Sequence, residues 1–292
     1  MGALIEVNTD GLAKLAETVG GWLGLNARAI EHNAEAEAFA IVRKADAESA
    51  AALARLQGEE QVANYILARE KRKMENAISV VELAQTQFTK EEQVSNEPVN
   101  PDWINRFFTI VEDISDVEMQ QLWARILAGE IKRPKSYSLR TLEILRNITK
   151  EEAEQITKAS CFLLHNNTIC SEKFCMDLKM QSLMDELGLI CGEALIRTYA
   201  VVSAEEPYNI AIAKKHILSL HSDFDIKINL QCYLLTKAGQ EVFALTQEDN
   251  HEFIVNLAKH FKKARLSKVL LNKIVRWEGD SPFCIQEHAV EI

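Results

Sequence analysis

The chain has few residues that stop helices and few that hold cofactors. Only 5 of its 292 residues are Pro and 11 are Gly. That excludes collagen-like and low-complexity chains and permits long uninterrupted helices. GxxxxGK[ST] and GxGxxG are both missing, so the Gly-rich loops that cradle nucleotide phosphates are not available. The 6 Cys all lie in the C-terminal half, without paired C-x-x-C spacing and without the density of a secreted disulfide framework. No apolar run approaches the roughly 20 residues that cross a bilayer. The N-terminus also lacks a basic segment followed by an apolar signal core. The expected location is the cytoplasm, with at most a peripheral place at the inner membrane.

What is present describes an ordinary globular chain, with 47% hydrophobic and 26% charged residues. Its length exceeds the usual single-core size, so two modules and an appendage are expected. The net charge of −10 divides as −6, −3 and −1 over residues 1–100, 101–200 and 201–292. An acidic chain is a poor non-specific ligand for nucleic acid, whose affinity comes mainly from neutralised phosphates. One stretch departs from this. Lys259, Lys262, Lys263, Arg265, Lys268, Lys273 and Arg276 fall within 18 residues that contain no acid.

Residues 1–26 hold a short amphipathic segment in which Leu12, Leu15, Val19, Trp22 and Leu23 recur at helical spacing. This face suits docking on the protein's own body or a membrane surface. Asp10 and Glu17 beside Lys14 dilute the basic polar face that interfacial helices carry. Residues 27–88 are rich in Ala, Glu, Lys and Arg, with no Pro and a single Gly, Gly58. They predict a long helix or a hairpin breaking near Gly58. Small residues stand where a zipper would place Leu, and no strict heptad survives Glu60, Glu70 and Lys73 against Val42, Leu56 and Ala63. An Ala seam still permits close helix approach, so homo-oligomerisation through this arm is expected alongside a solvated, braced helix. Residues 89–101 form a polar linker with Pro98 and Pro101.

The next stretch, 102–165, predicts a central helical bundle. Asn100 followed by Pro101 is a good helix start. Trp103, Phe107, Ile110 and Val111 form its apolar stripe. Ser115 and Glu118 spell a capping box for a helix carrying Leu122, Trp123, Ile126 and Leu127, with Gly129 placed to end it. Ser136 or Ser138 can cap a third helix after Pro134, and Thr149 with Glu152 caps a fourth. The acids of this block have local explanations in caps and helix dipoles. Arg125 and Arg140 are expected to pair with Glu130 and Glu143, and Trp103 and Trp123 to lie in the core.

This block also carries a resemblance. D-W-x-x-x-F-F, I-S-D-x-E-x-Q-x-L-W-A-x-I-L-A-G-E and P-x-x-x-S-x-R-T-L, over residues 100–160, resemble a bacterial family of domains of unknown function. The phrase QLWARILAGE (residues 121–130) is also similar to the abortive-infection alpha family. The resemblance implies a bacterial accessory protein linked to phage defence. It brings no catalytic residues with it. Where the family's Pro is often followed by Gly, this chain has Lys135.

Residues 166–292 change in pattern. Helical spacing through Phe174, Leu178, Leu183 and Leu187 gives way to β-rich runs over 194–202, 208–213, 226–230 and 233–235. A helix over 249–263 and a strand over 266–277 follow. L-x-x-x-L-G-L-I followed about 45 residues later by Y-x-L-T-x-x-G resembles a winged helix with an insertion in its wing. A groove-reading helix should be basic, yet Lys179 stands among Asp177, Asp185 and Glu186. Cys161, His165, Cys170, Cys175 and Cys191 lack zinc-ligand spacing, and buried thiols are expected. His216 and His221 accompany no nucleophile elbow.

The expected fold class is mainly α: an N-terminal arm, a central helical bundle and a C-terminal α+β winged-helix-like domain. The expected function is non-enzymatic, with no cofactor, metal or catalytic residue. It is that of an oligomerising, protein-binding sensor or scaffold, possible in phage defence. Two alternatives stand beside it: a nucleic-acid-binding regulator using Lys259, Lys262, Lys263, Arg265 and Lys268, and a membrane-associated effector using residues 8–25.

Overall fold

A computed structural model describes residues 8–22, 34–89, 93–164, 167–203, 207–213, 215–246, 250–278, 281–284 and 289–292. The chain divides into two compact units, Met1–Arg146 and Asn147–Ile292.

The first unit is helical. Its elements are α1 (Thr9–Trp22), α2 (Ala34–Leu56), α3 (Glu60–Gln85), α4 (Pro101–Val111), α5 (Val117–Lys132) and α6 (Leu139–Asn147). The Ala-rich stretch breaks at Gly58, whose φ of 79° is the left-handed conformation Gly adopts without steric cost. α2 therefore folds back along α3 as a hairpin. Ala51 and Ala54 of α2 close on Ala63 of α3 with Leu67 beside them, so the Ala seam is filled within the chain at these positions. The second half of α3 buries Ala77, Val80, Val81 and Ala84 and packs on α5.

Local chemistry places most of these helix ends. The Asn100 side chain accepts from the Asp102 and Trp103 amides at 2.8 and 3.2 Å, with Pro101 at the first helical position. Two expected signals are overridden. Asp116, not Ser115, caps α5 and accepts from the Met119 amide at 2.9 Å. The Ser115 hydroxyl is engaged by Asn76 Nδ2 at 3.1 Å. Gly129 does not end α5, which runs to Lys132. A Cβ at Gly129 would lie 2.8 Å from the Tyr137 ring, so this Gly lets the following turn fold back onto the helix.

The second unit corrects the expected fold class. It contains α7 (Lys150–Ala159), β1 (Leu163–Leu164), β2 (Thr168–Cys170), α8 (Leu178–Glu186), β3 (Leu195–Val201), β4 (Tyr208–Ile212) and β5 (His216–His221). These are followed by β6 (Ile226–Leu234), α9 (Lys237–Leu245), α10 (His251–Lys262), β7 (Lys268–Glu278), β8 (Ser281–Cys284) and β9 (Val290–Glu291). The strands form one nine-stranded sheet in the order β3-β6-β2-β1-β4-β5-β7-β8, with β9 on β7. Every pairing is antiparallel. The protein is α+β, not mainly α, and this sheet is not the short wing of a winged helix. The two phrases read as the wing's flanks do meet. The Thr236 amide donates to the Leu189 carbonyl at 3.0 Å, and Gly239 sits so close that a Cβ would lie 2.0 Å from the Leu189 oxygen. The residues between them build β3 to β6, because each strand finds its partner in the sheet.

β3 and β6 show the period of two that one buried face imposes. Tyr199, Val201, Ile228, Leu230 and Cys232 are buried, while Thr198, Ala200, Lys227, Asn229 and Gln231 are exposed. Phe261 of α10 meets Tyr199 edge-on from the buried side, with ring centroids 5.8 Å apart.

Candidate functional site

The signature block is a packed core. Trp103 stacks on Phe107 at 5.1 Å, and Phe107 meets Trp123 edge-on at 5.7 Å. Phe107, Trp123, Ile126 and Leu127 are fully buried, and Leu122 is half-buried. Trp103 Nε1 donates to the Tyr137 carbonyl at 2.7 Å. Apart from the half-buried Leu122, these side chains are enclosed in the core.

A buried polar network lies beside that core and joins α3 to the turn before α5. Lys73 Nζ donates to Glu112 Oε1 at 2.6 Å, and this bond raises the Lys73 pKa above its ordinary value against desolvation. Asn76 donates to the Glu112 carbonyl at 3.0 Å. Gln120 donates to the Ile114 carbonyl at 2.9 Å and accepts from Ser79 at 2.8 Å. The polar groups bond to one another, which fits a fastening between α3 and that turn. The two carboxylates expected to pair with Arg125 and Arg140 have further partners. Glu130 accepts from the Lys135 and Tyr137 amides at 2.6 and 3.0 Å, while Glu143 pairs with Arg106 at 2.9 Å.

Exposed apolar surface gathers instead at the tip of the α2–α3 hairpin. Leu53, Leu56, Val62 and Tyr65 are 60%, 85%, 44% and 65% exposed. All four stand within two turns of Gly58, at the end of a hairpin where Ala51, Ala54 and Ala63 pack together. Scattered surface apolar residues are ordinary, but four within two turns of one bend make a candidate contact surface. Glu59 and Glu60 lie in the same turn, with Arg55 paired to Glu60 at 3.3 Å. Spacing gave no sign of this cluster, because Leu56 reads as a core position until the partner helix is in place.

The cations singled out in the sequence lie together in the second unit. Lys259 and Lys262 end α10, Lys263 and Arg265 follow in the turn, and Lys268 opens β7. All five are exposed, and none forms an ion pair with a described residue. Arg265 holds a φ of 63°. The first cations also complement the C-terminal dipole of α10.

The N-terminal face is engaged within the fold. Leu15 and Val19 are buried, Leu12 is half-buried, and α1 packs on α4 and α5. Leu23 and the Trp22 side chain lie outside the described residues. The opposite side of α1 borders a cleft of about 700 Å3. There Lys14 donates to the Ser95 carbonyl, and desolvation lowers its pKa.

Of the cysteines, Cys170 and Cys175 approach to 2.8 Å between sulfurs. Cys161 donates to the Lys158 carbonyl at 2.9 Å, Cys191 is exposed, and His165 lies outside the described residues. Burial raises the Cys175 thiol pKa and pushes Cys232 up to about 12. Such thiols are weak nucleophiles near neutral pH.

Residues 60–189 match the family described as a protein of unknown function (DUF2806). The match takes in α3, the signature block and the segment through α8. No curated protein and no solved structure matches the chain. No helix among the described residues is long and apolar enough to cross a membrane.

Proposed function

We propose that this protein is a non-enzymatic protein-binding scaffold whose contact surface is the tip of the α2–α3 hairpin. The observation that carries the reading is the exposed quartet Leu53, Leu56, Val62 and Tyr65. Its partner is a protein presenting an apolar groove. Glu59 and Glu60 in the turn disfavour an anionic lipid surface, and a preformed helical hairpin enters a groove at little entropic cost. Ala51 and Ala54 of the seam pack on Ala63 of the same chain, whereas the tip residues are exposed, which supports the tip as the contact surface.

Site-specific photo-crosslinking tests this in the native host. A photoreactive residue at position 56 is expected to give a discrete protein adduct that Tyr65→Glu reduces at least about tenfold, as loss of an interface anchor does. The same residue at position 259 serves as the control. No adduct from position 56, or one insensitive to Tyr65→Glu, overturns the reading. The resemblance in residues 121–130 makes phage defence the pathway in which to look. Deletion of the gene should raise phage plaquing efficiency, and Leu56→Glu/Tyr65→Glu should reproduce the deletion.

A second reading rests on the five exposed cations Lys259, Lys262, Lys263, Arg265 and Lys268, which have no acidic partner among the described residues. They suit a phosphate backbone. Duplex DNA binding that weakens steeply with salt, and that Lys262→Glu/Lys263→Glu abolishes, would favour this reading. An absence of binding at low salt would remove it.

A further inference from the structure

β3 is an edge strand, with β6 on one side and nothing beyond it in the sheet. Alternate residues of such an edge direct backbone N–H and C=O groups away from the sheet. Natural sheets protect long edges with Lys, Pro, a bulge or a covering element. β3 has no Lys, Pro or bulge, no strand pairs beyond it, and β4 comes near only toward its C-terminal end, where the Tyr208 ring meets Tyr199 edge-on at 5.7 Å. Its register with β6 runs unbroken from Leu195 opposite Cys232 to Val201 opposite Ile226. Among the described residues, no other segment makes a backbone bond to it. Its single charge, Arg197, is turned to one face of the sheet, where the guanidinium reaches Thr168 Oγ1 at 3.2 Å and lies over the Tyr199 ring. On the open face Ile196 is 65% exposed, followed by Thr198 and Ala200.

The strand is also nearly two-fold symmetric in chemistry. When two copies of Leu195–Val201 run antiparallel with Thr198 facing Thr198, Leu195 meets Val201, Ile196 meets Ala200 and Arg197 meets Tyr199. No like charges face each other. The apolar layer continues across the join, the guanidinium meets an aromatic ring, and β-branched Thr side chains pair on the open face. Centring the pair on Arg197 would oppose two guanidinium groups, and a one-residue slip would send the buried layer to the wrong face. A foreign strand would have to match both layers, whereas a second copy does so by symmetry.

We infer that two copies of this chain associate through β3, joining their sheets into one continuous antiparallel sheet about a two-fold axis at Thr198. The surface belongs to the second unit and does not involve the hairpin tip.

Sedimentation velocity of the full chain over ~1–100 µM tests the inference, a range suited to a contact at the small end of interface sizes. The sedimenting species is expected to move from the 33.0 kDa chain to twice that mass. Ile196→Lys/Ala200→Lys changes two exposed side chains and sets Lys against Lys across the axis. It should sediment as the single chain at every concentration, with an unchanged circular dichroism spectrum. Ile196→Lys/Ala200→Glu sets Lys against Glu and should recover the dimer. Leu56→Glu/Tyr65→Glu should leave it intact. A parent chain that stays at 33.0 kDa throughout overturns the inference. So does a dimer that survives the Lys/Lys variant, one that Lys/Glu does not restore, or one that only the hairpin variant removes.

Discussion

Glu130 is 2% exposed, in the last turn of α5, and its carboxylate binds two backbone amides of the turn that follows. Oε1 accepts from Lys135 at 2.6 Å and Oε2 from Tyr137 at 3.0 Å. The same turn offers its Tyr137 carbonyl to Trp103 Nε1, so one carboxylate fastens the turn to α5 and, through it, to α4. A hydrogen bond to a charged group contributes about 1.5–3 kcal/mol. Both amides are only partly buried, which places Glu130→Ala at a loss of about 3–4 kcal/mol, against a total of about 5–15 for a domain. Glu130→Gln keeps one acceptor and turns an NH2 toward the other amide, so about half that loss is expected. Urea unfolding followed by tryptophan fluorescence reads the effect through Trp103 and Trp123. With a slope of about 2 kcal/mol/M, the Ala variant should unfold about 1.5–2 M earlier and the Gln variant about 1 M earlier. An Ala variant within about 0.5 kcal/mol of the parent, or a Gln variant as damaging as Ala, would refute the reasoning, because water would then be satisfying those amides as well as the carboxylate does.

Three further outcomes follow from the same geometry. Lys135 sits at φ 72° where the resembled family often has Gly. Lys135→Val should therefore cost about 1–2 kcal/mol in thermal melts, while Lys135→Gly stays within about 0.5, relief of left-handed strain offsetting the lost Glu97 ion pair and added chain entropy. Gly239→Ala should destabilise the second unit by at least about 2 kcal/mol, since the new Cβ would meet the Leu189 carbonyl at 2.0 Å and backbone must move; an unchanged melting temperature would count against that packing. Desolvation, then Cys170, raises the Cys232 thiol from 9.0 to about 12, so its stabilising effect is complete below 9.0 and fades as pH climbs toward 12. Under reducing conditions, melting temperature should fall with alkaline pH more steeply in the parent chain than in Cys232→Ser, and equal slopes would contradict the burial of this thiol.

Legibility in the sequence tracked the range of the interaction. Asn100 with Pro101 was readable because a cap is complete within four residues, and so was the Thr149–Glu152 box, which forms in both directions at 3.2 and 2.7 Å. Ser115 was misread because its hydroxyl answers to Asn76, which is 39 residues away. Gly129 was misread because its purpose is the Tyr137 ring. Strand β5, HILSLH, escaped detection because both of its faces are partly covered and no clean alternation survives. The cations from Lys259 to Lys268 were readable as a group because they are close in sequence. The apolar tip was not, since Leu56 and Tyr65 belong to two helices whose facing sides only the hairpin defines.

By itself, the sequence determined the helix starts at Asn100 and Thr149, the aromatic core of the signature block and the absence of nucleotide-cradling motifs, all properties of a few neighbouring residues. Only the tertiary structure decided that the chain is α+β, that Gly58 turns the Ala-rich stretch into a hairpin with Ala51 and Ala54 on Ala63, that the flanks of the supposed wing meet at Leu189 and Gly239, and that no strand pairs beyond β3. Those outcomes depend on which distant segments pair. Strand pairing is chosen by burial and register across the whole sheet, and no local window of residues carries that choice.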